Sequence, residues 1–403
     1  MFETSPELTY ATVTLGCKVN HAESDTLARA LEASGMIRAD LEASDVVFVN
    51  TCTVTGEADK KARKAVRHAL AVNPVARVIV TGCAVAIDAD QFASMDPRVE
   101  AIDRTKLLLT CTKDASIEDL VRVGDGYRTR VNIKVQDGCD HACTYCIVHT
   151  ARGKARSKPA HDVLAEAEAH FLHGAKEIIL TGIDIGAYHD GSSDLETLAR
   201  QLLDCASRHD VNGIKPRIRI SSIEPLSISD GLLDLLAESD GSLCRHLHLP
   251  LQSGSNRILD DMARPYSAEK YLEIVTALRN AVPSLSLTTD IIVGFPGETE
   301  NDFEETLAMA RACAFSKIHV FPYSMRKGTP AAARTDQVEA EVKSSRASEL
   351  RKLSDKLRTQ DRESRRGTRE FAIVQGSKAM TESYHEVAAP EGSAPGDLVE
   401  VLL

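Results

Sequence analysis

Three cysteines in one short segment restrict how the middle of this chain can fold. Cys139, Cys143 and Cys146 have the spacing C-x3-C-x2-C and follow a run of residues that predicts a β-strand. Thiolates this close together form a ligand set for a metal centre. Iron–sulfur clusters are normally held by four cysteines, so three of them leave one iron open to another ligand. The sequence therefore predicts a strand followed by a loop that holds such a cluster.

A zinc site is the alternative for this loop. C-x2-C is half of a common zinc motif, and His141 or His149 would be a further ligand. The chain has no second C-x2-C or H-x3-H pair at the usual spacing. This favours the iron–sulfur interpretation and leaves both histidines as loop residues.

The composition is that of an acidic globular protein. The chain has 403 residues, 43% hydrophobic content and a net charge of −11, which suggests two or three domains and argues against indiscriminate nucleic-acid binding, to DNA included. No apolar run reaches the roughly 18 residues that a membrane span needs. The first seven residues lack a signal-peptide pattern, so we expect a cytoplasmic protein with no membrane partner.

Two basic segments stand out from this acidic background. Residues 343–369 predict an amphipathic helix with a basic outer face, and on this evidence alone a solvated surface helix without a binding role explains them better. Residues 152–158 directly follow the three-cysteine loop. Their position makes Arg152, Lys154 and Arg156 the better candidates for phosphate contacts.

The N-terminal residues 1–115 alternate between strand and helix patterns. Strands are predicted at residues 12–15, 46–49 and 77–80, and helices from Ser24 to Gly35 and over residues 57–70. Such βαβ units predict an α/β domain with a doubly wound parallel sheet.

Cys17, Cys52 and Cys83 each come just after one of these three strands. The carboxyl ends of parallel strands meet at one edge of a sheet, which is where such sheets bind ligands. The three cysteines are therefore predicted to form a second three-thiolate site. The alternative is three unrelated buried cysteines, since a free cysteine is often buried.

A loop at Gly124, Asp125 and Gly126 precedes a second domain, residues 125–355. Six strands are predicted at residues 130–135, 177–180, 217–220, 246–249, 287–293 and 317–321, with helices between them, for example over residues 160–172 and 301–314. Six βα units are too few for a closed eight-stranded barrel, so we predict an open, partial (β/α)6 barrel. Its chemistry would lie at the C-terminal ends of the strands, where polar segments cluster.

Residues 356–403 contain the end of the basic helix and two strand-like runs, at residues 371–374 and 398–403. They predict a short β appendage, which would be only marginally stable alone.

These motifs together resemble the radical S-adenosylmethionine methylthiotransferases of the MiaB-like group, over nearly the whole chain. The resemblance lies in residues 14–20, 50–55, 81–83, 289–299, 319–324 and 328–330 and in the three-cysteine loop. Within the group, Gly16-Cys-Lys-Val-Asn20 is similar to the MtaB-type branch, which acts on N6-threonylcarbamoyladenosine in tRNA. The isopentenyladenosine branch typically has Gly-Cys-Gln-Met-Asn, and the ribosomal-protein branch Gly-Cys-Pro-Lys-Asn.

The resemblance implies two [4Fe–4S] clusters and S-adenosylmethionine as cofactors. Cys139, Cys143 and Cys146 would hold the cluster that binds S-adenosylmethionine and generates a 5′-deoxyadenosyl radical. Cys17, Cys52 and Cys83 would hold an auxiliary cluster that presents a methylated sulfur. Position alone suggests Tyr145, Ser222, Glu224 and Gln252 as contacts of the S-adenosylmethionine.

The implied reaction is methylthiolation of C2 of N6-threonylcarbamoyladenosine at position 37 of tRNA. C2 is an unactivated C–H carbon, so a cofactor must supply the difficult step. An anticodon-loop base can be splayed into a pocket, and a reductase would supply electrons. The alternatives are another tRNA adenosine, a ribosomal protein, or a non-catalytic iron–sulfur electron-transfer protein.

The sequence departs from the family pattern in three places. Relatives usually end in a complete TRAM-type β-barrel, and only about half of one fits here. His149 stands where relatives tend to have proline, and Asp184 where they have asparagine or histidine. Neither change replaces a cysteine, but both lie near the predicted substrate pocket.

Overall fold

The structure is a computed structural model that describes residues 8–121, 123, 127–211 and 213–403. The predicted interdomain loop at residues 124–126 and the first seven residues lie outside the described part of the chain. Within that part, no helix is both long enough and apolar enough to cross a membrane.

The N-terminal part of the chain is a parallel sheet with helices on both faces. Its strands are β1 (Thr9–Thr14), β2 (Ile37–Arg38), β3 (Val46–Thr51), β4 (Arg77–Gly82) and β5 (Val99–Ala101), and its helices are α1 (Lys18–Ala33), α2 (Gly56–Val72), α3 (Cys83–Ile87), α4 (Ala89–Ala93) and α5 (Arg104–Thr112). The strand order is β2-β1-β3-β4-β5. A separate apolar cluster lies on each face, which confirms the predicted doubly wound sheet.

The start of helix α1 was predicted wrongly. The helix begins at Lys18, with Cys17 as its N-cap, and not at Ser24. Ser24 is buried inside the helix, where its hydroxyl accepts a hydrogen bond of 3.0 Å from Asn50 Nδ2. In the sequence, a serine that hydrogen-bonds to another element looks the same as a serine that caps a helix.

The central part of the chain alternates strands and helices. Its strands are β6 (Arg130–Lys134), β7 (Gln136–Asp137), β8 (Arg156–Ser157), β9 (Glu177–Thr181), β10 (Arg217–Ile220), β11 (His246–His248), β12 (Ser286–Val293) and β13 (Lys317–Pro322), and its helices are α6 (Val148–Arg152), α7 (Ala160–Leu172), α8 (Leu195–Ser207), α9 (Asp230–Glu238), α10 (Asn256–Asp261), α11 (Ala268–Ala281) and α12 (Glu300–Cys313). The short strands β7 and β8 form a small antiparallel pair beside the three-cysteine loop.

Six of these strands form the predicted open barrel. Strands β6, β9 and β10 make one parallel sheet, and β11, β12 and β13 make another. Parallel bridges from Ile218 to Leu243 and from Ser222 to His248 join the two sheets. One large apolar cluster fills the space between strands and helices, and the partial (β/α)6 barrel is confirmed.

The C-terminal segment differs from its prediction in two ways. Helix α13 (Ala340–Ser364) ends before Arg369, which is the first residue of strand β14 (Arg369–Gln375). Three further strands, β15 (Lys378–Thr381), β16 (Glu386–Ala388) and β17 (Leu398–Leu402), complete an antiparallel sheet in the order β16-β15-β14-β17. Two of its four strands were not predicted, because residues 378–381 and 386–388 are short and lack a long apolar alternation.

Buried arginines attach this C-terminal sheet to the barrel. Arg217 donates to the carbonyls of Phe371 and Met380 at 2.6 and 3.0 Å. Arg219 donates to those of Thr381 and Glu382, both at 2.9 Å. Both guanidinium groups also pair with the fully buried Glu177, so the junction is fixed by charge-assisted hydrogen bonds.

Candidate active site

The cysteines of the N-terminal sheet meet at one edge, as predicted. Cys17 caps helix α1, Cys52 directly follows β3, and Cys83 is the first residue of α3. This edge includes the switch point between β1 and β3, where doubly wound sheets of this strand order bind ligands. Burial, together with the nearby thiols of Cys17 and Cys83, raises the pKa of Cys52 to about 11. The three thiols therefore share one small space.

Two glycines allow the cysteine loops to approach so closely. Gly16 has a φ of +106°, and a Cβ atom there would lie 2.7 Å from Cys52 Cβ. Gly82 has a φ of +96°, and its Cβ would lie 2.4 Å from Asn50 Oδ1. Side chains rarely adopt these backbone angles, so both positions need glycine for conformation and for space.

Asn20 joins the loops that carry Cys17 and Cys52. Its amide donates to the carbonyls of Leu15 and Thr51 at 2.8 and 2.9 Å. These bonds explain why an asparagine follows Cys17 by three residues, at the buried side of the first helical turn.

The three-cysteine loop of the barrel lies beyond strand β7, at the C-terminal end of the barrel. The backbone N–H groups of His141 and Val148 each donate to a thiol at 3.4 Å, of Cys139 and Cys146 respectively. Burial, with neighbouring Asp184 and the thiols of Cys143 and Cys146 as lesser contributors, raises the pKa of Cys139 to about 12. The three thiols of this loop thus also form one group.

Arg264 is a functional candidate that the sequence did not reveal. Its guanidinium donates to Cys143 Sγ at 3.2 Å and forms an ion pair with Glu224. It also donates to the hydroxyl of Tyr266 at 3.1 Å. The only signal was an isolated arginine after helix α10, far in sequence from the cysteine loop, so nothing local marked it.

His141 pairs with an acidic residue at the rim of the same loop. Its Nε2 lies 3.1 Å from Asp184 Oδ2. The ligand-type atoms of Cys139, His141 and Asp184 lie within 4.8 Å of one another. The substitution of Asp184 for the usual family residue thus brings a carboxylate to the histidine beside Cys139.

Arg152 does not lie where the sequence suggested. Its side chain is fully buried and donates to Glu23, Asp137 and Asn20 at 2.7–3.1 Å. Its Nε donates to Cys83 Sγ at 3.1 Å. The predicted phosphate contact is therefore wrong for Arg152, which instead connects the two cysteine-bearing domains.

The charges around Arg152 are balanced by two buried carboxylates. Burial opposes ionisation, but Arg152 and Lys134 hold the pKa of Glu23 below its usual value. The pKa of Asp137 is also lowered, by Lys134 and Arg152 against the effect of burial. Arg156 also pairs with Asp137 at 2.8 Å but remains half exposed.

A cavity of about 360 Å³ lies between the two cysteine sets. Its walls include Cys17 from the N-terminal set and Cys146 from the barrel loop. The other lining residues are Val54, Thr55, Tyr145, Ile147, Val148, Gln252, Asp290, Ile292, Phe321, Pro322, Tyr323 and Ser324. A molecule bound in this cavity would therefore lie next to both cysteine sets.

The predicted cofactor contacts divide between this cavity and its neighbourhood. Tyr145 and Gln252 line the cavity. Glu224 lies apart from them, paired with Arg264, and burial raises its pKa. Ser222 pairs with His248 across the junction of the two barrel sheets. All four lie beyond the C-terminal ends of barrel strands.

The residues present fit iron–sulfur clusters. All ten cysteines carry free thiols, and each set offers three sulfur ligands with no fourth cysteine beside them among the described residues. Backbone N–H groups and arginines already point at the sulfurs, as is common around such clusters. Each set is suited to a cluster with one iron open to a further ligand.

Comparison with known families agrees with this arrangement. Residues 133–310 match the Radical SAM superfamily, and residues 9–102 match the uncharacterized protein family UPF0004. Among solved structures, the radical S-adenosylmethionine methyltransferase TsrM from Kitasatospora setae is similar with a TM-score of 0.58 at 14% identity, covering 81% of this chain and 77% of that one. A likeness at this identity supports the fold alone.

Sequence relatives identify the enzyme class. The threonylcarbamoyladenosine tRNA methylthiotransferase MtaB of Bacillus subtilis is 40% identical over 87% of this chain and 81% of its own. The protein of the same name from Chlamydia pneumoniae is 35% identical over 94% and 89%. The tRNA-2-methylthio-N(6)-dimethylallyladenosine synthase 1 of Mycobacterium marinum is 34% identical over 98% and 83%.

These findings confirm the predicted resemblance and the predicted transferase class. They also confirm the predicted cofactors, because radical SAM enzymes use S-adenosylmethionine with a [4Fe–4S] cluster and methylthiotransferases carry two such clusters. Two cysteine sets surround one cavity, and tRNA methylthiotransferases match most of the chain. The chain therefore belongs to the family of radical S-adenosylmethionine tRNA methylthiotransferases.

Proposed function

We propose that this enzyme attaches a methylthio group to C2 of N6-threonylcarbamoyladenosine at position 37 of tRNA. The observation that carries the proposal is the single cavity reached by both cysteine sets. Relatives named for threonylcarbamoyladenosine are 40% and 35% identical, against 34% for the relative named for dimethylallyladenosine. Lys18, in the motif that resembles the MtaB-type branch, also favours this substrate.

In this proposal each domain has one task. Residues 1–115 hold the auxiliary cluster through Cys17, Cys52 and Cys83, and residues 125–355 hold the radical cluster through Cys139, Cys143 and Cys146. When bound, the clusters and S-adenosylmethionine supply the radical and the sulfur that an unactivated C–H carbon requires. Tyr145, Ser222, Glu224 and Gln252 remain the proposed contacts of S-adenosylmethionine.

In this proposal the residues that line the cavity position the substrate. Tyr145, Phe321 and Tyr323 give the cavity an aromatic wall, and aromatic faces stack on unpaired bases. Arg264 is a further candidate for orienting the anionic end of the cofactor, since its buried guanidinium reaches Cys143 and Glu224. A base held here would lie between the two sulfur sets.

The tRNA would reach the cavity through its anticodon loop, where the target base is unpaired and can be splayed out. Lys154 is exposed beside the cysteine loop, and Arg351, Lys352 and Lys356 are exposed on helix α13. Residues 356–403, with the four-stranded sheet, would assist this contact. We place the reaction in the cytoplasm, with a reductase as electron donor.

The direct test is mass spectrometry of tRNA nucleosides from cells with and without the gene. Loss of 2-methylthio-N6-threonylcarbamoyladenosine, with accumulation of its precursor, would support both the reaction and the substrate. Loss of the 2-methylthio form of isopentenyladenosine instead would assign the enzyme to the isopentenyladenosine branch. An unchanged nucleoside profile would contradict a tRNA substrate and direct attention to a ribosomal protein.

A further inference from the structure

The inner face of the barrel beneath the cavity is lined by polar side chains from three adjacent strands. His248 lies on β11, Asp290 on β12 and His319 on β13. His248 Nε2 lies 3.3 Å from Asp290 Oδ1, and the rings of His248 and His319 lie 5.7 Å apart. Asp290 is also a wall of the cavity between the cysteine sets, so the histidine that pairs with it lies next to that cavity.

Lys18 enters this space from the N-terminal domain. It directly follows Cys17, which lines the cavity, and its ammonium group lies 5.9 Å from the centre of the Tyr384 ring. Among the residues that the structure describes, no carboxylate lies within ion-pair distance of this ammonium group. Lys18 is thus a basic group at the inner end of the active site that lies over an aromatic ring, and burial lowers its pKa, with Arg219 and Arg130 acting in the same direction.

Tyr384 closes the barrel below Lys18. Tyr384 has a backbone φ of +67°. Its ring stacks on the ring of His246, with 4.4 Å between the two ring centres. The guanidinium groups of Arg130 and Arg219 lie 5.8 and 5.3 Å from the same ring. Tyr384, from the C-terminal sheet, therefore lies at the bottom of the space inside the barrel (the lumen), and cationic side chains surround its ring.

The two arginines share the single carboxylate of Glu177, whereas Lys18 has no ion pair among the residues that the structure describes. Glu177 lies 2.8 Å from Arg219 and 3.7 Å from Arg130. Asp290, higher in the lumen, is in contact with His248. Burial lowers the pKa of His319 to about 4, so its ring is neutral at neutral pH and offers one N–H donor. The space inside the barrel thus offers the Lys18 side chain, the neutral ring of His319 and the carboxylate of Asp290.

We propose that Lys18 binds the carboxylate of the N6-threonylcarbamoyl substituent, while His319 and Asp290 hydrogen-bond to the polar atoms between that carboxylate and the adenine. The inference rests on the proposed substrate and explains its selection. A threonylcarbamoyl group carries one carboxylate, a hydroxyl and ureido N–H groups, so each of these side chains finds a partner of matching chemistry. An isopentenyl group would offer Lys18 and His319 no such partner, which disfavours its binding.

The test compares two anticodon stem-loop RNAs that differ in one group. One contains N6-threonylcarbamoyladenosine, and the other contains its methyl ester, which has the same shape without the negative charge. Dissociation constants are measured by fluorescence anisotropy with the reconstituted enzyme. We expect the wild-type enzyme to bind the acid about tenfold or more tightly than the ester, since a hydrogen bond to a charged group has about this strength.

The variants Lys18→Met and Lys18→Arg test whether Lys18 causes the preference for the acid over the ester. Lys18→Met should bind the acid and the ester equally, whereas Lys18→Arg should retain part of the preference because it keeps the charge. Lys270→Met removes the same charge from the exposed face of helix α11. It should leave the ratio of the two dissociation constants unchanged, and iron content confirms that each variant is folded and loaded.

The outcomes separate this inference from the proposed function. If the wild-type enzyme methylthiolates the acid RNA but binds acid and ester equally, the role of Lys18 is refuted while the substrate stands. An unaltered acid preference in Lys18→Met refutes that role as well. If the wild-type enzyme modifies only an isopentenyladenosine RNA, the proposed function fails first.

Discussion

The two cysteine sets reach one cavity from differently built regions. In the barrel, Cys139, Cys143 and Cys146 come from one loop, and backbone N–H groups of that loop already point at the sulfurs. In the N-terminal sheet, Cys17, Cys52 and Cys83 come from three loops, and only the parallel order of β1, β3 and β4 brings them together.

The difference shows where each site is vulnerable. The three barrel cysteines come from one loop, to which Arg264 adds a contact from a distant segment, whereas the N-terminal set is assembled entirely by contacts between distant segments. Arg152 provides such a contact, because it belongs to the barrel domain yet donates to Cys83 and Asn20. The N-terminal cysteine set should therefore respond to changes at the junction with the barrel, and the barrel set should respond mainly to changes in its own loop.

The largest expected effect separates the chemistry of the two sets. Cys143→Ser should abolish both 5′-deoxyadenosine formation and methylthiolation, each by about 10³-fold or more. Cys83→Ser should abolish methylthiolation to the same extent but retain 5′-deoxyadenosine formation. Chromatography of reaction products under anaerobic reduction measures both activities. Cys244→Ser, at a buried cysteine outside both sets, should keep both, and equal behaviour of Cys83→Ser and Cys143→Ser would contradict separate roles.

Removing the arginine at the junction should be the next largest effect. Arg152→Met removes the buried cation that bonds to both Glu23 and Asp137, while Lys134 stays within ion-pair distance of both. Loss of one member of a buried ion pair destabilises by about 3–5 kcal/mol, so with Lys134 in place we expect a loss at the lower end of that range. Denaturant unfolding measures this loss, and iron analysis should show preferential loss of the auxiliary cluster. Arg156→Met, whose side chain is half exposed on the same Asp137, should change stability by less than about 1 kcal/mol. Equal effects of the two variants would show that burial of the junction is unimportant.

Glycine substitutions sharpen the comparison within the barrel loop. Gly138 and Gly153 have similar φ angles of +73° and +74°, but a Cβ at Gly138 would lie 2.0 Å from the carbonyl oxygen of Lys154, while one at Gly153 meets nothing within 4 Å. Alanine at either position brings backbone strain of about 1–3 kcal/mol. Gly138→Ala should lose at least about 1 kcal/mol more than Gly153→Ala, because it also collides with the backbone. Thermal unfolding of both variants tests this order.

The smallest expected effect is a pH dependence of the junction. The pKa of Glu23 is lower in the folded state, so its stabilising contribution is complete above its unfolded pKa of about 4.3 and is lost as the pH falls through the folded value. Glu23→Gln should therefore flatten the decline of stability below about pH 4. Glu100→Gln, at an exposed pair with Arg77, should leave the slope unchanged. Stability measured from pH 3 to 7 would contradict the assignment if the two variants had parallel curves.

Much of the fold was predictable because its signals are local and repeated. Strand β10 and helix α7 begin and end at the predicted residues, since buried parallel strands and amphipathic helices have strong apolar patterns. The edge strand β2 and the C-terminal strands β15 and β16 escaped prediction, because they contain only two to four residues. Helix α1 was misplaced because its cap is a cysteine whose local pattern is not that of a helix start.

The site residues divide in the same way. The six cysteines could be grouped from strand position alone, because the topology of a parallel sheet fixes which ends meet. Arg264 and the true position of Arg152 could not be predicted, since each acts on atoms more than 60 residues away in the chain. A guanidinium group in the sequence looks the same whether it faces solvent or a buried carboxylate.

The sequence by itself determined the class of chemistry, the two sulfur sets and the layered α/β architecture, because thiol spacing and apolar periodicity are properties of the chain alone. Only the tertiary structure decided that both sets open onto one cavity, that Arg152 joins the domains, and that Lys18 stands above Tyr384. The physical reason is that burial and charge pairing depend on which distant segments come together. That choice is made by the packing of the whole molecule and leaves no mark at any single position.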